Sequence, residues 1–324
     1  MTNKQKISIL LFTGAFLVLY SIIYLIPGVS GALKKTEIIN YGELTVSEEM
    51  TCYLVRNEKV FLADRSGDIN YYFEEGEHVR RGTKILDISK QEVGEPEDEY
   101  EDILKNLENS AVKAGNEGAP YNGIVSYYVD GYENLFTPDK MTSLKYEAVS
   151  KMKIEPVNLT RKDTFVNEPI YKICDNSLWY VIGWVEEGKV SKFVIGGKVE
   201  IEMESGTIPA EIENIIEDEG RWLVIMKTDR YFAGFSKARS GSGRVITAKA
   251  TGILIKNESI TVDEEGTIGV YVKKKNGDYM FRPIQVINTD GIRSAVEASF
   301  FYDEAGIEVK TVDVYDEILK NGRG

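Results

Sequence analysis

Histidine is almost absent from this chain, and its absence limits the available chemistry. His78 is the only histidine among 324 residues, whereas histidine is the usual general base and the commonest zinc ligand. It lies between two glycines, with no cysteine or second histidine beside it. We therefore expect a solvated turn residue, because a catalytic base needs an orienting partner and a nucleophile within reach.

Cysteine is also scarce. Cys52 and Cys174 are too few for a disulfide framework and have no C-x-x-C or Cys/His spacing. We expect two separate buried thiols, with a bond between them as the alternative. The sequence also lacks a P-loop, a dinucleotide-binding glycine motif, H-E-x-x-H and G-x-S-x-G. These absences predict a protein without enzyme activity, metal or cofactor.

Basic charge is the third shortage. The chain has 39 lysines and arginines against 52 acidic residues, a formal net charge of -13. Such a surface repels phosphate backbones, so nucleic acid is excluded as an expected partner.

An apolar run without charged residues extends from Ile7 to Val29. As a helix it would be about 35 Å long at about 1.5 Å per residue, enough to span a bilayer. A cleaved secretory signal is the alternative, although the apolar core of a signal is usually only about 7 to 15 residues long. The sequence predicts an uncleaved single-pass anchor in the cytoplasmic membrane, with the rest of the chain extracytoplasmic.

Beyond this run, short stretches with period-two alternation and frequent glycine predict β structure. Gly67 to Ile88 contains Gly76, Val79 and Gly82 at strand-length spacing, and Ala119 to Leu135 again reads as turn, short strand and turn. Glycine adopts positive φ at tight turns without a Cβ penalty. Two similar halves predict one pseudo-symmetric β domain.

These two stretches resemble the half-motifs of the biotinyl/lipoyl-like barrel-sandwich hybrid of HlyD-type periplasmic adaptors, also called membrane fusion proteins. The matching residues are Gly67-Asp68-Ile69, Glu75-Gly76-Glu77-His78-Val79, Gly82 and Ile85-Leu86-Asp87-Ile88, followed by Ala119-Pro120, Gly123-Ile124-Val125 and Gly131. The resemblance implies a mainly β fold: a transmembrane helix, a lipoyl-like sandwich with a short helical insert, a small β-barrel and a membrane-proximal β domain.

Carrier proteins with this domain bear a modifiable lysine at a hairpin tip, in a Met-Lys-Met or Asp-Lys-Ala setting. Here the nearest candidate is Lys90, whose Ser-Lys-Gln context lacks that pattern. Residues 89–118 replace the tip. We therefore expect no lipoyl or biotinyl group.

The insert at 89–118 predicts one short helix. Its apolar residues fall on one face at helical spacing: Tyr100, Ile103, Leu104, Leu107 and Ala111. Adaptors that reach an outer-membrane channel carry a long two-helix hairpin here, which one helix cannot supply. The stripe either covers the sandwich or meets a partner. Acids from Glu95 to Asp102 suit a helix start better than an EF-hand calcium loop, whose alternating ligand pattern is missing.

The rest of the chain predicts further β domains. Leu178 to Val185 is nearly continuously apolar, typical of a strand buried on both faces. Val199, Ile201 and Met203 alternate with glutamates, typical of a strand with one wet face. Lys275 to Asp278 contains Asn-Gly between alternating runs, which favours a hairpin. The predicted domains are an anchor at 1–32, strands of the membrane-proximal and barrel region at 33–65, the sandwich at 66–135, a linker with one short helix at 136–165, a β-barrel at 166–248 and a membrane-proximal β domain at 249–320.

The resemblance implies a non-catalytic adaptor subunit of an efflux or secretion assembly, with an inner-membrane permease or ATPase as partner. An envelope scaffold for cell division or the cell wall, reusing the fold without transport, is the alternative, and a lipoyl or biotin carrier is disfavoured. The membrane and further copies of this chain complete the expected partners. Candidate interface residues lie in the insert and in the turn: Tyr100, Ile103, Leu104, Leu107, Gly76, Val79 and Gly82.

Overall fold

The computed structural model describes residues 12–18, 20–21, 35–90, 100–108, 110–115, 118–232 and 234–322. They divide into two compact units. The central unit is Ser47–Thr247, and the terminal unit comprises the described residues of Met1–Val46 and Ala248–Gly324. Strands dominate both units, so the predicted mainly β class is confirmed.

Most of the predicted anchor lies outside the described residues. Residues 12–18 and 20–21 are helical. Within the described ranges, no helix combines the length and apolar character that a bilayer crossing requires. The anchor remains a prediction.

Two strands open the described chain after residue 35: β1, Thr36–Ile38, and β2, Asn40–Val55. Burial alternates along the first part of β2, whereas Cys52 to Val55 are all buried. The end of β2 therefore packs on both faces.

The sandwich follows and occupies part of the central unit. Its strands are β3 Glu58–Leu62, β4 Gly67–Tyr71, β5 His78–Val79, β6 Leu86–Lys90, β7 Val112–Lys113, β8 Gly123–Ser126, β9 Tyr128–Val129, β10 Val157–Asn158, β11 Asp163–Thr164 and β12 Pro169–Cys174. One sheet has the order β5-β8-β12-β3-β7, another has the order β11-β4-β6, and β9 pairs with β10. The sheets share one core that includes Val60, Ile85, Val125 and Ile170.

The strands of the sandwich extend beyond the 66–135 range that the sequence predicts. β3 and β12 lie on either side of that range and pair with each other from Glu58↔Cys174 to Leu62↔Pro169. Local periodicity shows that a strand exists but not which distant strand it joins, because pairing depends on the complementary face of the partner.

The helices are short. α1 is Glu101–Leu107 and α2 is Tyr146–Val149, with 3-10 turns at Met141–Ser143, Glu187–Lys192 and Asn257–Ser259. α2 falls inside the predicted linker helix, and α1 falls inside the predicted insert helix. Both predicted helices exist, and α1 is shorter than the apolar stripe from Tyr100 to Ala111 suggests.

The barrel completes the central unit. Its further strands are β13 Trp179–Glu186, β14 Lys198–Met203, β15 Gly206–Asp218, β16 Arg221–Thr228 and β17 Ser240–Lys256. With β2 they form the order β14-β15-β16-β13-β2-β17, and pairing of β14 with β17, from Glu200↔Ile246 to Met203↔Gly243, closes the ring. Cys52, Val181, Ile201 and Met226 belong to its core.

Strand β13 is buried on both faces, as its continuous apolar sequence predicts. Val181 and Val185 belong to the barrel core, while Ile182 and Trp184 belong to a second cluster that includes Phe136. Segment 136–152 supplies several members of this second cluster. What the sequence presents as a linker therefore covers the outside of the barrel wall.

The terminal unit contains the remaining strands. They are β18 Thr261–Val262, β19 Ile268–Lys273, β20 Tyr279–Pro283, β21 Val286–Thr289, β22 Arg293–Val296, β23 Phe300–Tyr302, β24 Glu308–Lys310 and β25 Glu317–Leu319. The Asn-Gly hairpin is confirmed between β19 and β20, with Gly277 at φ 89°. β1 pairs with β25, so residues 36–38 and 317–319 lie in one sheet.

Candidate functional site

Helix α1 turns its apolar stripe toward the sandwich. Tyr100, Ile103 and Leu107 are buried in the sandwich core, and Leu104 is half-buried against it. The sequence predicts that the stripe either covers the sandwich or contacts a partner, and this packing agrees with cover of the sandwich.

A side-chain network fastens the start of this helix. The Arg161 guanidinium lies 4.8 Å from the centre of the Tyr100 ring and donates to its hydroxyl oxygen at 3.3 Å. The same guanidinium donates to Thr164 Oγ1 at 2.7 Å and to Glu168 Oε2 at 3.0 Å. Because Arg161 holds the ring from one side and the β11–β12 connection from the other, it ties the insert to the sandwich.

The outer face of α1 is charged. Glu101, Asp102 and Lys105 are exposed. A partner that approached α1 would meet these groups rather than the apolar stripe.

The turn from Gly76 to Gly82 is built as its glycines predict. Gly76 has φ 84° and Gly82 has φ 82°, conformations that residues with a Cβ rarely adopt. Gly76 N donates to Val125 O at 3.0 Å, and Gly82 N donates to Ala119 O at 2.7 Å. These bonds join the two half-motifs, and Val79 between them is buried. The turn leaves Arg80 and Arg81 exposed.

His78 lies on this turn, exposed to solvent. Its Nε2 is 3.4 Å from Asn176 Nδ2, and its ring centre is 6.1 Å from that of Tyr231. No group of three or more His, Cys, Asp or Glu side chains able to hold a metal occurs within the described ranges.

A group of buried ion pairs lies between the sandwich and the barrel. We call it the junction cluster: three cations and three carboxylates with side chains at most 2% exposed, namely Arg56, Glu58, Asp130, Glu133, Lys172 and Arg239. Its formal charges cancel. Such balance is what allows charged groups to be buried.

Glu58, at the start of β3, is the centre of the cluster. Its Oε1 lies 2.9 Å from Arg56 Nε and 2.8 Å from Lys172 Nζ. Its Oε2 lies 2.5 Å from Arg239 Nη2, a close ion pair without hydrogen-bond alignment. One carboxylate therefore meets three cations.

The segment after β9 supplies the other two carboxylates. Asp130 Oδ2 is 3.1 Å from Arg239 Nε, and Glu133 Oε1 is 3.2 Å from Lys172 Nζ. The Glu133 carboxylate also accepts hydrogen bonds from the backbone N–H groups of Asp130 and Gly131, at 3.1 and 3.0 Å. The backbone of the turn thus fixes the position of the Glu133 carboxylate.

Arg56 extends the cluster to the loop before β17. Its Nη1 donates to Phe235 O, its Nη2 donates to Ala238 O at 3.0 Å, and its guanidinium lies 5.0 Å from the Phe235 ring centre. Each of the three guanidinium nitrogens therefore has an acceptor, either Glu58 or a backbone carbonyl.

A second polar contact joins the same two domains. Glu75 Oε1 accepts from Ser126 Oγ at 2.9 Å and from Ser236 Oγ at 2.8 Å. Its Oε2 accepts from the backbone N–H of Tyr127 at 2.6 Å. Glu75 therefore bridges both half-motifs and the barrel loop.

The electrostatics of the cluster follow from its burial and its neighbours. Burial alone would raise the pKa of Glu58, but the charges of Arg239, Arg56 and Lys172 outweigh burial and hold this pKa well below its usual value. For Glu133, burial and the nearby Asp130 charge raise the pKa. Burial would lower the pKa of Lys172, but Glu58 and Glu133 raise it instead. Glu58 and Lys172 are thus held in their charged forms.

Both cysteines are free and buried, as the sequence predicts. Burial raises the pKa of each thiol to about 12. Cys174 Sγ donates to Glu58 Oε1 at 3.3 Å. Neither thiol is in the reactive thiolate form near neutral pH.

Sequence reasoning missed the junction cluster. The one local signal was Lys172, a lone lysine inside the otherwise apolar strand β12. A charge in a fully buried strand requires a partner, but its partners come from distant segments of the chain.

Two family profiles match adjacent parts of the chain. The profile described as "RND related, barrel-sandwich hybrid domain" matches residues 58–175, and the one described as "RND related, beta-barrel domain" matches residues 179–249. Together they cover more than half of the sequence. The chain belongs to the periplasmic adaptor, or membrane fusion protein, family. The resemblance found in the half-motifs is confirmed. β3 begins at the first residue of the sandwich profile and β13 at the first residue of the barrel profile, whereas β17 continues beyond the barrel profile to Lys256.

Solved structures are similar only at a low level. ZneB from Cupriavidus metallidurans matches with a TM-score of 0.31 and 12% identity, covering 89% of this chain and 92% of that one. MacA from Actinobacillus actinomycetemcomitans matches with a TM-score of 0.38 and 12% identity, covering 89% and 99%. These likenesses carry no argument about partners. No curated protein sequence matches the chain significantly.

Proposed function

We propose that this chain is a non-catalytic, membrane-anchored adaptor subunit of an efflux or secretion transporter assembly. The observation that carries the proposal is the order of the domains: a barrel-sandwich hybrid leads directly into a closed six-stranded barrel within one compact unit. In this proposal the chain acts by binding through its surface, and its partner is an inner-membrane permease or ATPase.

The proposed location is the outer face of the cytoplasmic membrane, with a single anchor at the N-terminus. It rests on the apolar run from Ile7 to Val29. An Asp278→Cys variant tests it, because Asp278 lies in the exposed β19–β20 turn and both native thiols are buried. We expect an impermeant maleimide to label intact cells. Labelling that appears only after lysis would contradict this location.

An envelope scaffold without transport is the second candidate, and the described part of the insert favours it. α1 is a single short helix whose apolar stripe packs inward, so it presents no second helix and no apolar seam to a channel. A carrier role has weaker support. Lys84 forms an ion pair with Asp87 at 2.9 Å, and the context of Lys90 lacks the carrier pattern.

The proposed partner surface comprises the turn from Gly76 to Gly82 and the outer face of α1. On the turn, Val79 is internal while Arg80 and Arg81 are exposed. In this proposal the two exposed arginines meet acidic groups of the partner.

Cross-linking in native membranes followed by affinity recovery of the full chain tests the function. A permease or transporter ATPase in the recovered material supports the adaptor, whereas recovery of cell-division or wall-synthesis proteins alone supports the scaffold. Intact mass supplies the third outcome, since an added lipoyl or biotinyl mass on Lys84 or Lys90 would overturn both. An Arg80→Glu and Arg81→Glu variant should lose the partner, while the matched variant Lys198→Glu, on an exposed barrel residue, should keep it.

A further inference from the structure

Stability alone does not explain why the junction cluster is built from charged residues. Six buried charges must be desolvated, and well-packed apolar residues of similar size are often at least as stabilising. Such a cluster instead specifies one arrangement of the two domains, because each buried charge is neutralised only when its partners are in place.

The two domains supply complementary parts of the cluster. The sandwich provides Glu58, Asp130, Glu133 and Lys172, all within the residues of its family profile. The barrel side provides Arg239, which contacts Glu58 and Asp130 at 2.5 and 3.1 Å. Among the described residues, the carboxylates that pair with this barrel arginine all belong to the sandwich.

Arg56 adds a contact from the short connection between β2 and β3. It holds Glu58 of the sandwich on one side and two carbonyls of the barrel loop, those of Phe235 and Ala238, on the other. Glu75 and Ser236 repeat this arrangement at a second point. Both contacts therefore hold the same barrel loop, residues 235–238, against the sandwich.

The covalent connections between the domains are short. β12 ends at Cys174 and β13 begins at Trp179, while Arg56 and Asn57 alone separate β2 from β3. Short connections of this kind are usual hinge positions. In this chain the cluster lies beside both of them.

We propose that the junction cluster is a clasp that makes the sandwich and the barrel one rigid piece. Rotation of the sandwich on the barrel would leave Arg239 and Glu58 buried without their partners, and the attraction between buried charges falls steeply once water or distance intervenes. The sandwich therefore moves only together with the barrel.

Distance measurements between two spin labels on the full chain test this clasp. Arg80→Cys places a label on the sandwich and Lys198→Cys places one on the barrel, both at exposed positions. The native thiols are buried, with pKa values of about 12, so they should not be labelled. We expect one narrow distance distribution. A broad or double distribution in the otherwise unchanged protein would overturn the proposal.

Substitution of Arg239, the cation that the barrel contributes to the junction cluster, should allow the sandwich to move relative to the barrel. In Arg239→Met we expect the distribution to become about twofold broader. Segment 175–178 should also become sensitive to protease while the circular dichroism of both β domains is retained. The matched control is Lys227→Met, which removes a barrel lysine paired with Glu211 and Glu213 at the surface and should leave the distribution narrow.

A folded Arg239→Met protein with an unchanged narrow distribution would refute the clasp. If that variant fails to fold, Arg239→Lys supplies the decision, because lysine keeps the charge but cannot contact Glu58 and Asp130 with a guanidinium fork. We expect a distribution of intermediate width. A width equal to that of the parent protein would show that the cluster does not restrain the sandwich.

Discussion

Helix α1 and the junction cluster both fasten parts of the central unit, but by opposite physical means. α1 buries Ile103 and Leu107 in the sandwich core without any charge. The junction cluster buries three cations against three carboxylates, with Glu58 at its centre. The apolar contact tolerates small shifts, because dispersion and burial depend weakly on angle. The ionic contact tolerates few, since each misplaced partner leaves a charge unsatisfied.

The difference has consequences for the function of each region. An apolar stripe can be exchanged between intramolecular cover and a partner surface, since both bury the same area. The junction cluster is buried and its charges pair with one another, so it exposes no charged group to a partner. In the proposed function, partner recognition belongs to the exposed turn and the outer face of α1, and the cluster gives rigidity.

The largest expected effect comes from adding charge to the apolar region. Ile103→Glu with Leu107→Glu should lower the free energy of unfolding by about 4 kcal/mol or more, because two carboxylates would replace buried apolar side chains in the sandwich core. Thermal and urea unfolding measure the loss. A double variant that keeps its stability but loses its partner would instead place the stripe at an interface.

Removing charge from the ionic region should have a slightly smaller effect. Lys172→Met should cost about 3 kcal/mol, because Glu58 and Glu133 would lose the lysine between them. Denaturant unfolding of the full chain is the measurement. The matched control is Lys151→Ala, which removes an exposed pair with Glu147 and should change stability by under about 0.5 kcal/mol. Equal losses in the two variants would mean that burial of the cluster contributes nothing.

The smallest expected difference between the two regions is the response of their stability to acid. The folded-state pKa of Glu58 lies well below its ordinary value of 4.5. Its contribution is therefore fully present above pH 4.5 and is lost as pH falls through the folded pKa. Glu133 acts in the opposite sense, because its raised folded-state pKa favours folding when it is protonated.

We expect the melting temperature to rise slightly as pH falls from 7 toward 4.5, because Glu133 takes up a proton in the folded state, and to decline in stronger acid as Glu58 is protonated. Glu133→Gln should remove the rise above pH 4.5 and keep the decline below it, because glutamine does not titrate. Leu107→Ala should lower the whole curve without changing its shape, because an apolar side chain does not titrate. A Leu107→Ala curve with a new acid transition would contradict this separation.

The sequence alone determined whatever depends on local pattern. The double burial of β13, the alternation of β14 and the Asn-Gly hairpin follow from residues a few positions apart. The apolar stripe of α1 is equally local, since helical periodicity brings its residues onto one face. The half-motifs were recognisable for the same reason, because each consists of one turn and its adjacent strands.

Tertiary structure alone decided which distant segments meet. β3 joins β12, β14 closes on β17, and Glu58 meets Lys172 and Arg239 only after these pairings form. In the sequence Glu58 and Arg239 resemble solvated surface residues, whereas Lys172, inside the apolar strand β12, is the exception. Whether a charge faces water or an opposite charge depends on burial, and burial is a property of the assembled sheets rather than of any segment.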